Sequence, residues 1–250
     1  MKRINRRHTG TEAIQAVRNA QNAGFSNLSI DLIYGLPFQT LEAWKNQLEI
    51  ALNLNVKHIS SYGLTYEEGT ALWMQREKGK VTNVDDEIMN AMYLHLVEQT
   101  TKHNFEAYEI SNFALPGYRS RHNTSYWNQQ AYLGIGPSAH SYNLISRQWN
   151  VASVNDYIKA IDSGTSFFES EELTKNERYN DFIMVSLRTA EGIDLSVLDN
   201  EFGAEFSSYC LKQIESFIKN EKAVQTDRKI RLTPAGIMIS NLIIMELMKV

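Results

Sequence analysis

Cysteine is nearly missing from this chain: 250 residues contain one, Cys210. No intrachain disulfide can form, and no set of thiolates is present to hold an iron–sulfur cluster. This usage fits a reducing cytosol. A basic excess is missing too. The formal net charge is −4, which argues against a general nucleic-acid binder. Long apolar runs are absent. The most apolar late stretch, GIMISNLIIMELM at 236–248, is interrupted by Ser240, Asn241 and Glu246, so it reads as a packed terminal helix rather than a membrane span. The basic start, MKRINRRHTG, leads into no apolar segment and does not read as a secretory signal. Several site signatures are also lacking. LGIGPSAH (133–140) has no third glycine of a dinucleotide fingerprint and opens no helix. There is no GxxxxGK(S/T) phosphate loop, and no GxSxG elbow for a serine hydrolase.

What is present is a globular composition, 43% hydrophobic and 10% aromatic, enough for one large core or two smaller ones. From Thr9 to Ala23 the spacing of Ala13, Val17 and Ala20 predicts a helix, with Thr9 or Thr11 as cap and Gly24 as stop. NLSIDLIYG (27–35) reads as a strand ended by Gly35 and Pro37. Thr40 to Leu54 is a second helix, with Leu41, Trp44, Leu48 and Leu52 at helical spacing, and KHISSYGL (57–64) a second strand. That order implies parallel pairing through a right-handed crossover. A long helix over 85–102 turns Ile88, Met92, Leu96 and Val97 inward. FEAYEISNFA (105–114) reads as a third strand, and AYLGIGPSAHSYN (131–143) as a strand interrupted by glycines.

The composition shifts near Ser163. TSFFESEELTKNE is acidic, a linker or the start of a helix. Helices follow over 178–189, 194–202 and 206–220. Lys229 and Arg231 then alternate with Ile230 and Leu232, and Asp227-Arg228 makes the turn of a small hairpin. Three helices before a hairpin is the winged-helix order. The helix FSSYCLKQIESFIKN carries only Lys212 and Lys219, against Glu215, which is too few cations for a DNA-recognition face.

Candidate site residues follow from position and chemistry. Asp31 lies near the carboxyl end of a predicted parallel strand, where α/β sheets place ligands, and can accept hydrogen bonds from an amine or a sugar hydroxyl. The ordinary alternative is a carboxylate capping a loop. HNTSYW (122–127) packs His122 with Tyr126 and Trp127; histidine can bind a metal or haem iron, and the aromatics can flank a flat ligand. No second histidine stands at zinc-site spacing. On residue chemistry alone an ordered loop with half-buried aromatics is the better description of the segment. His140 and Arg6 carry no signal by themselves.

NRRH, AGFSNLSIDLIYGLPFQT, SSYGLTYEEGT, YEISNFALPGYRSRHNTSYW and YLGIGPSAHS, in this order and spacing, closely resemble the oxygen-independent coproporphyrinogen III oxidase family of radical S-adenosylmethionine (SAM) proteins. Within it, HNTSYW resembles the HemW-like haem-chaperone branch. The resemblance implies an α/β fold: the C-terminal part of a partial (β/α)6 radical SAM barrel with a strand extension over 1–162, then a mostly helical, winged-helix-like domain over 163–250. It further implies that Arg6, Asp31, Thr65 and His140 border SAM, and that His122 is the candidate iron ligand for haem, with Tyr126 and Trp127 beside it. The implied partners are haem or a porphyrin and a haem-acceptor protein, with no nucleic acid. The implied location is cytoplasmic or membrane-peripheral. The other branch of the family implies decarboxylation of coproporphyrinogen III.

One departure is large. The family carries CxxxCxxC for a [4Fe–4S] cluster, and this chain does not. The expectation is a C-terminal portion that binds ligands without radical chemistry. A bare strand edge beside Asp31 would then be covered by the chain's own N-terminus or by a homodimer.

Overall fold

The computed structural model describes residues 8–250, which divide after Ser120 into two compact units. In the first, α1 (Gly10–Asn22) starts at a capping box in which Thr9 and Glu12 satisfy each other's backbone N–H groups. The helix forms where the sequence places it, but it buries none of its residues. Next come β1 (Ser29–Tyr34), α2 (Leu41–Leu52) and β2 (His58–Gly63), with Thr40 capping α2. β1 and β2 pair in parallel, as the helix–strand alternation requires. α3 (Ala71–Glu77) and α4 (Asp86–Lys102) follow.

The expected third strand is in fact two short ones, β3 (Glu106–Ala107) and β4 (Asn112–Ala114), paired antiparallel to each other. The break has a cause. The buried Glu109 carboxylate accepts hydrogen bonds from the Ser111 backbone N–H at 2.7 Å and from Asn112 Nδ2 at 2.5 Å, which folds the chain back on itself. The sheet order is β1-β2-β4-β3, with β4 antiparallel to β2.

Strand alternation sends Ile30, Leu32 and Tyr34 to one face, alongside Ile59. Trp44, Leu48, Ile59, Met92, Leu96 and Phe113 are fully buried. The Trp44 indole donates to the Met92 carbonyl at 2.9 Å and meets the Tyr34 ring at 5.5 Å between centroids. Of the residues expected to line α4, Ile88 is 41% exposed, and Tyr93 is buried in its stead.

The second unit begins with α5 (Arg121–Trp127). HNTSYW is therefore helical rather than a loop. The segment over 131–143 holds only β5 (His140–Tyr142) and a single bridge from Tyr132 to Tyr142. β6 (Ser146–Asn150), α6 (Val154–Ser163) and β7 (Phe168–Glu172) follow, and β5-β6-β7 form an antiparallel sheet. The acidic tract near Ser163 thus contains a strand, hidden from pattern reading because all five of its residues are exposed.

The remainder is α7 (Lys175–Ser186), β8 (Ile193–Asp194), α8 (Leu195–Phe202), α9 (Ala204–Lys219), β9 (Ala223–Thr226), β10 (Lys229–Leu232), α10 (Pro234–Ile237) and α11 (Ser240–Leu247). The hairpin turns at Asp227-Arg228 as expected, and the small sheet has the order β8-β10-β9. Its core holds Tyr179, Ile183, Leu198, Ile214, Ile230, Ile243 and Leu247, all fully buried. Each such aliphatic side chain contributes about 1.5–3 kcal/mol over its exposed state. Cys210 lies in the same core, and burial pushes its thiol up to about 12. Among the described residues no helix is long and apolar enough to cross a membrane.

Gly35 closes β1 at φ +74°, and a Cβ there would stand 2.2 Å from Met89 Sδ. Gly35→Ala is expected to destabilise the chain by roughly 1–3 kcal/mol. Urea unfolding followed by circular dichroism would show it as a lower midpoint with an unchanged slope.

Candidate functional site

Two clusters of chemistry-bearing residues stand out, one in each unit. In the first unit, parallel register sets Ser29 beside His58 and Asp31 beside Ser60, all on the sheet face opposite the Ile30–Leu32–Tyr34 face. His58 is buried, and both ring nitrogens are engaged: Nδ1 with Ser29 Oγ and Nε2 with the Tyr108 hydroxyl, each at 2.8 Å. The Tyr108 hydroxyl also accepts the Ser120 backbone N–H at 3.4 Å. Desolvation holds the His58 pKa below its ordinary value, while the Asp31 carboxylate pulls the other way and loses.

Asp31 is third of the six β1 residues and exposed, so it sits mid-strand rather than at the carboxyl end. The strand begins two residues later than the pattern suggested and stops at Gly35. The Asp31 carboxylate has no hydrogen-bond partner among the described residues, which leaves it open to a hydroxyl or amine donor. Thr65 is exposed in the segment between β2 and α3. Arg6 lies outside the described residues.

In the second unit, the His122 ring packs edge-on against Tyr126 at 4.9 Å. Tyr126 packs edge-on against Tyr132 at 4.9 Å, and Tyr132 meets Tyr142 at 6.1 Å. The result is a continuous aromatic row with an imidazole at one end. The imidazole of His122 makes no hydrogen bond among the described residues, and the residue is exposed. Burial raises the pKa values of Tyr132 and Tyr142, so their hydroxyls stay protonated. At the other end of this sheet, His140 pairs with Trp149 across β5 and β6, with ring centroids 6.4 Å apart, and Trp149 Nε1 donates to Glu169 at 3.2 Å. Trp127 does not join the row. Its buried Nε1, like Thr124 Oγ1, lacks a hydrogen-bond partner among the described residues.

Sequence reasoning missed Tyr132 and Tyr142. The glycines drew attention to LGIG as a place of ligand approach. The structure gives Gly134 a different reason: a Cβ there would fall 2.1 Å from the His140 carbonyl oxygen. Gly134 lets residues 131–136 close onto β5, and that closure brings Tyr132 to Tyr142. Also missed was the Ser29–His58–Tyr108 chain, whose members lie up to 79 positions apart in sequence; strand register joins Ser29 to His58, and the Tyr108 hydroxyl reaches the ring from beyond β3.

These donors discriminate among cofactors. An iron–sulfur cluster does not fit: the chain's one thiol is Cys210, buried in an apolar core far from thiolate character. No three His, Cys, Asp or Glu side chains converge as a metal-ion site among the described residues. A flat macrocycle with a central metal does fit a free imidazole at the head of an aromatic row.

Comparison with known proteins adds lineage. Residues 173–239 match the HemN C-terminal domain family. The chain is similar to the heme chaperone HemW of Lactococcus lactis, 34% identical over 243 residues, covering 96% of this chain and 63% of that protein. It is 28% identical to the HemW of Bacillus subtilis, covering 96% of this chain and 64% of that one. The chain therefore spans somewhat less than two thirds of the length of these relatives. The solved structure of coproporphyrinogen III oxidase (HemN) from Escherichia coli, described as a radical SAM enzyme, superposes with a TM-score of 0.76 at 19% identity, covering 98% of this chain and 60% of that one. At that identity the likeness is one of fold.

The His58 linkage has a definite sign. Its folded pKa is depressed below the unfolded value of about 6.5, so the unfolded chain takes up a proton that the folded chain resists. Stability is expected to fall as pH drops through and below that value. His58→Gln should weaken this dependence, as measured by urea midpoints between about pH 7.5 and 5.

Proposed function

We propose that this chain, which belongs to the HemW-like radical SAM family, binds haem at the aromatic row headed by His122 and presents it for transfer to an acceptor protein. The observation that carries this reading is the His122 imidazole. It is exposed, free of hydrogen bonds among the described residues, and packed edge-on against Tyr126. Neutral imidazole is a good iron ligand, and its orientation is fixed here by ring packing rather than by a second hydrogen bond. Tyr126 and Tyr132 supply apolar ring surface to a macrocycle. An exposed ligand residue also suits release, because a ligand from an acceptor protein can reach the same iron.

Asp31 and Thr65 are the residues of the first unit that we assign to SAM. Asp31 has the unengaged carboxylate that a ribose hydroxyl needs. Radical chemistry requires a cluster held by thiolates, and Cys210 cannot supply it, so the activity proposed for this chain is binding. Names of relatives support haem metabolism as the setting: the two HemW proteins are heme chaperones.

Haem titration followed at the Soret band tests the reading. Wild type is expected to give a saturable spectral change with the signature of a histidine-ligated iron. His122→Ala should lose that signature and bind at least about tenfold more weakly, a loss of about 1.4 kcal/mol or more. Tyr126→Phe should retain both, since the ring and not the hydroxyl packs against His122. Identical spectra and affinities for wild type and His122→Ala would remove His122 from the site.

A further inference from the structure

The charges at the Tyr142 end of the aromatic row decide what the row can take. Register pairs Tyr142 of β5 with Arg147 of β6, and His140 with Trp149, so all four side chains share one face of the three-stranded sheet. Tyr132 joins them through its bridge to Tyr142. α7 meets the same face: the Arg147 guanidinium donates to the Asp181 carboxylate, which fixes the helix beside Tyr142. Arg178 stands three residues before Asp181 on α7, the spacing that shares a helix side. Its charge reaches the Tyr142 hydroxyl, as do those of Arg147 and Asp181. The Tyr132 hydroxyl feels Tyr126 of α5 as well as Arg147 and Asp181, so the two ends of the row act on one group.

Most charges at this end are already engaged. Asp181 is taken by Arg147, and Glu171, the partner of Arg147 across β6 and β7, lies in the field of the same cation. Glu177 closes the capping box of α7 with Thr174, and Lys175 lies over the Phe206 ring. Arg178 is left. It is half-buried, and its guanidinium makes no hydrogen bond or ion pair among the described residues. A guanidinium carries five N–H donors and no acceptor, in a planar fork that fits a carboxylate. An unpaired fork beside a row whose Tyr126 and Tyr132 are 40% and 37% exposed suits a flat ligand with a carboxylate at its rim.

We infer that Arg178 is a specificity-determining residue of the row, receiving a peripheral carboxylate of a porphyrin bound along it. This rests on the reading of the row as a haem site and supplies what that reading lacks. Ligation by His122 would fix the iron alone and leave the ring free to turn about the iron–nitrogen bond. A carboxylate held by the Arg178 fork removes that freedom and selects an acidic porphyrin over a neutral one.

The probes are metal-free protoporphyrin IX, which has two propionates and no iron for His122 to ligate, and its dimethyl ester, which has the same ring and no charge. Fluorescence titrations of the full chain with each, in the same dilute detergent, give the ratio of the two affinities. Wild type is expected to favour the acid by at least about tenfold, the scale of a hydrogen-bonded charge pair. Arg178→Gln brings the ratio close to one by weakening the acid alone. Arg178→Lys, a point charge without the fork, retains part of it. Added salt narrows the ratio in wild type and leaves it unchanged in Arg178→Gln. Melting curves that match wild type separate loss of binding from loss of fold. The same acid-to-ester ratio in wild type and Arg178→Gln overturns the inference, and so does a wild type that does not bind the acid. The haem reading is judged by a different result, the Soret spectrum of His122→Ala.

Discussion

A parallel strand pair has to have both faces satisfied, and the first unit is organised around that constraint. On one face of β1 and β2 the answer is apolar. Trp44 from the crossover helix fills the space over Tyr34 and Ile59, and its indole N–H is spent on the Met92 carbonyl, tying α2 to α4. On the opposite face the answer is polar. The buried His58 ring has two nitrogens to satisfy; Ser29 satisfies one from the neighbouring strand β1, and Tyr108 the other from the segment between β3 and β4. A buried imidazole without these partners would carry the full desolvation cost of each unpaired group. The fold-back at Glu109, which sets β3 and β4, follows the same rule: a buried carboxylate takes hydrogen bonds where a continuous strand would leave it unmet.

The second unit reaches its candidate site by a different route. Its large core belongs to the helices and the hairpin, with Tyr179, Ile183 and Leu247 at the centre. The three-stranded sheet beside that core in the chain contributes no fully buried apolar residue and serves as a frame. It holds Tyr142, His140 and Trp149 by register, and Gly134 permits Tyr132 to close against Tyr142. α5 then adds Tyr126 and His122 as one helical turn, the i and i+4 positions that face the same way. Because the rings are already packed on one another, their orientation is largely fixed by the fold.

Much of the architecture was legible in the sequence because it follows local periodicity. The helices around Trp44 and Met92, the parallel pair and the hairpin at Asp227-Arg228 all declare themselves by spacing, capping residues and turn residues. α5 was not legible as a helix: it is seven residues long and buries none of its residues. β7 was missed because a strand exposed on every residue shows no hydrophobic alternation. Asp31 was found, but its place in mid-strand depends on where pairing with β2 begins, and that is a property of two segments rather than one.

The sequence by itself determined the lineage, the limits on chemistry and the identity of His122, Tyr126 and Asp31 as candidates. Composition alone shows one cysteine, too few thiolates in these 250 residues to hold a cluster, and HNTSYW stood out through its resemblance to a family motif. Tertiary structure alone decided which residues stand together: Ser29 with His58 and Tyr108, and Tyr132 with Tyr142. The physical reason is the same in each case. These contacts join positions through strand register and close backbone approach, and neither leaves a trace in the local pattern of side chains.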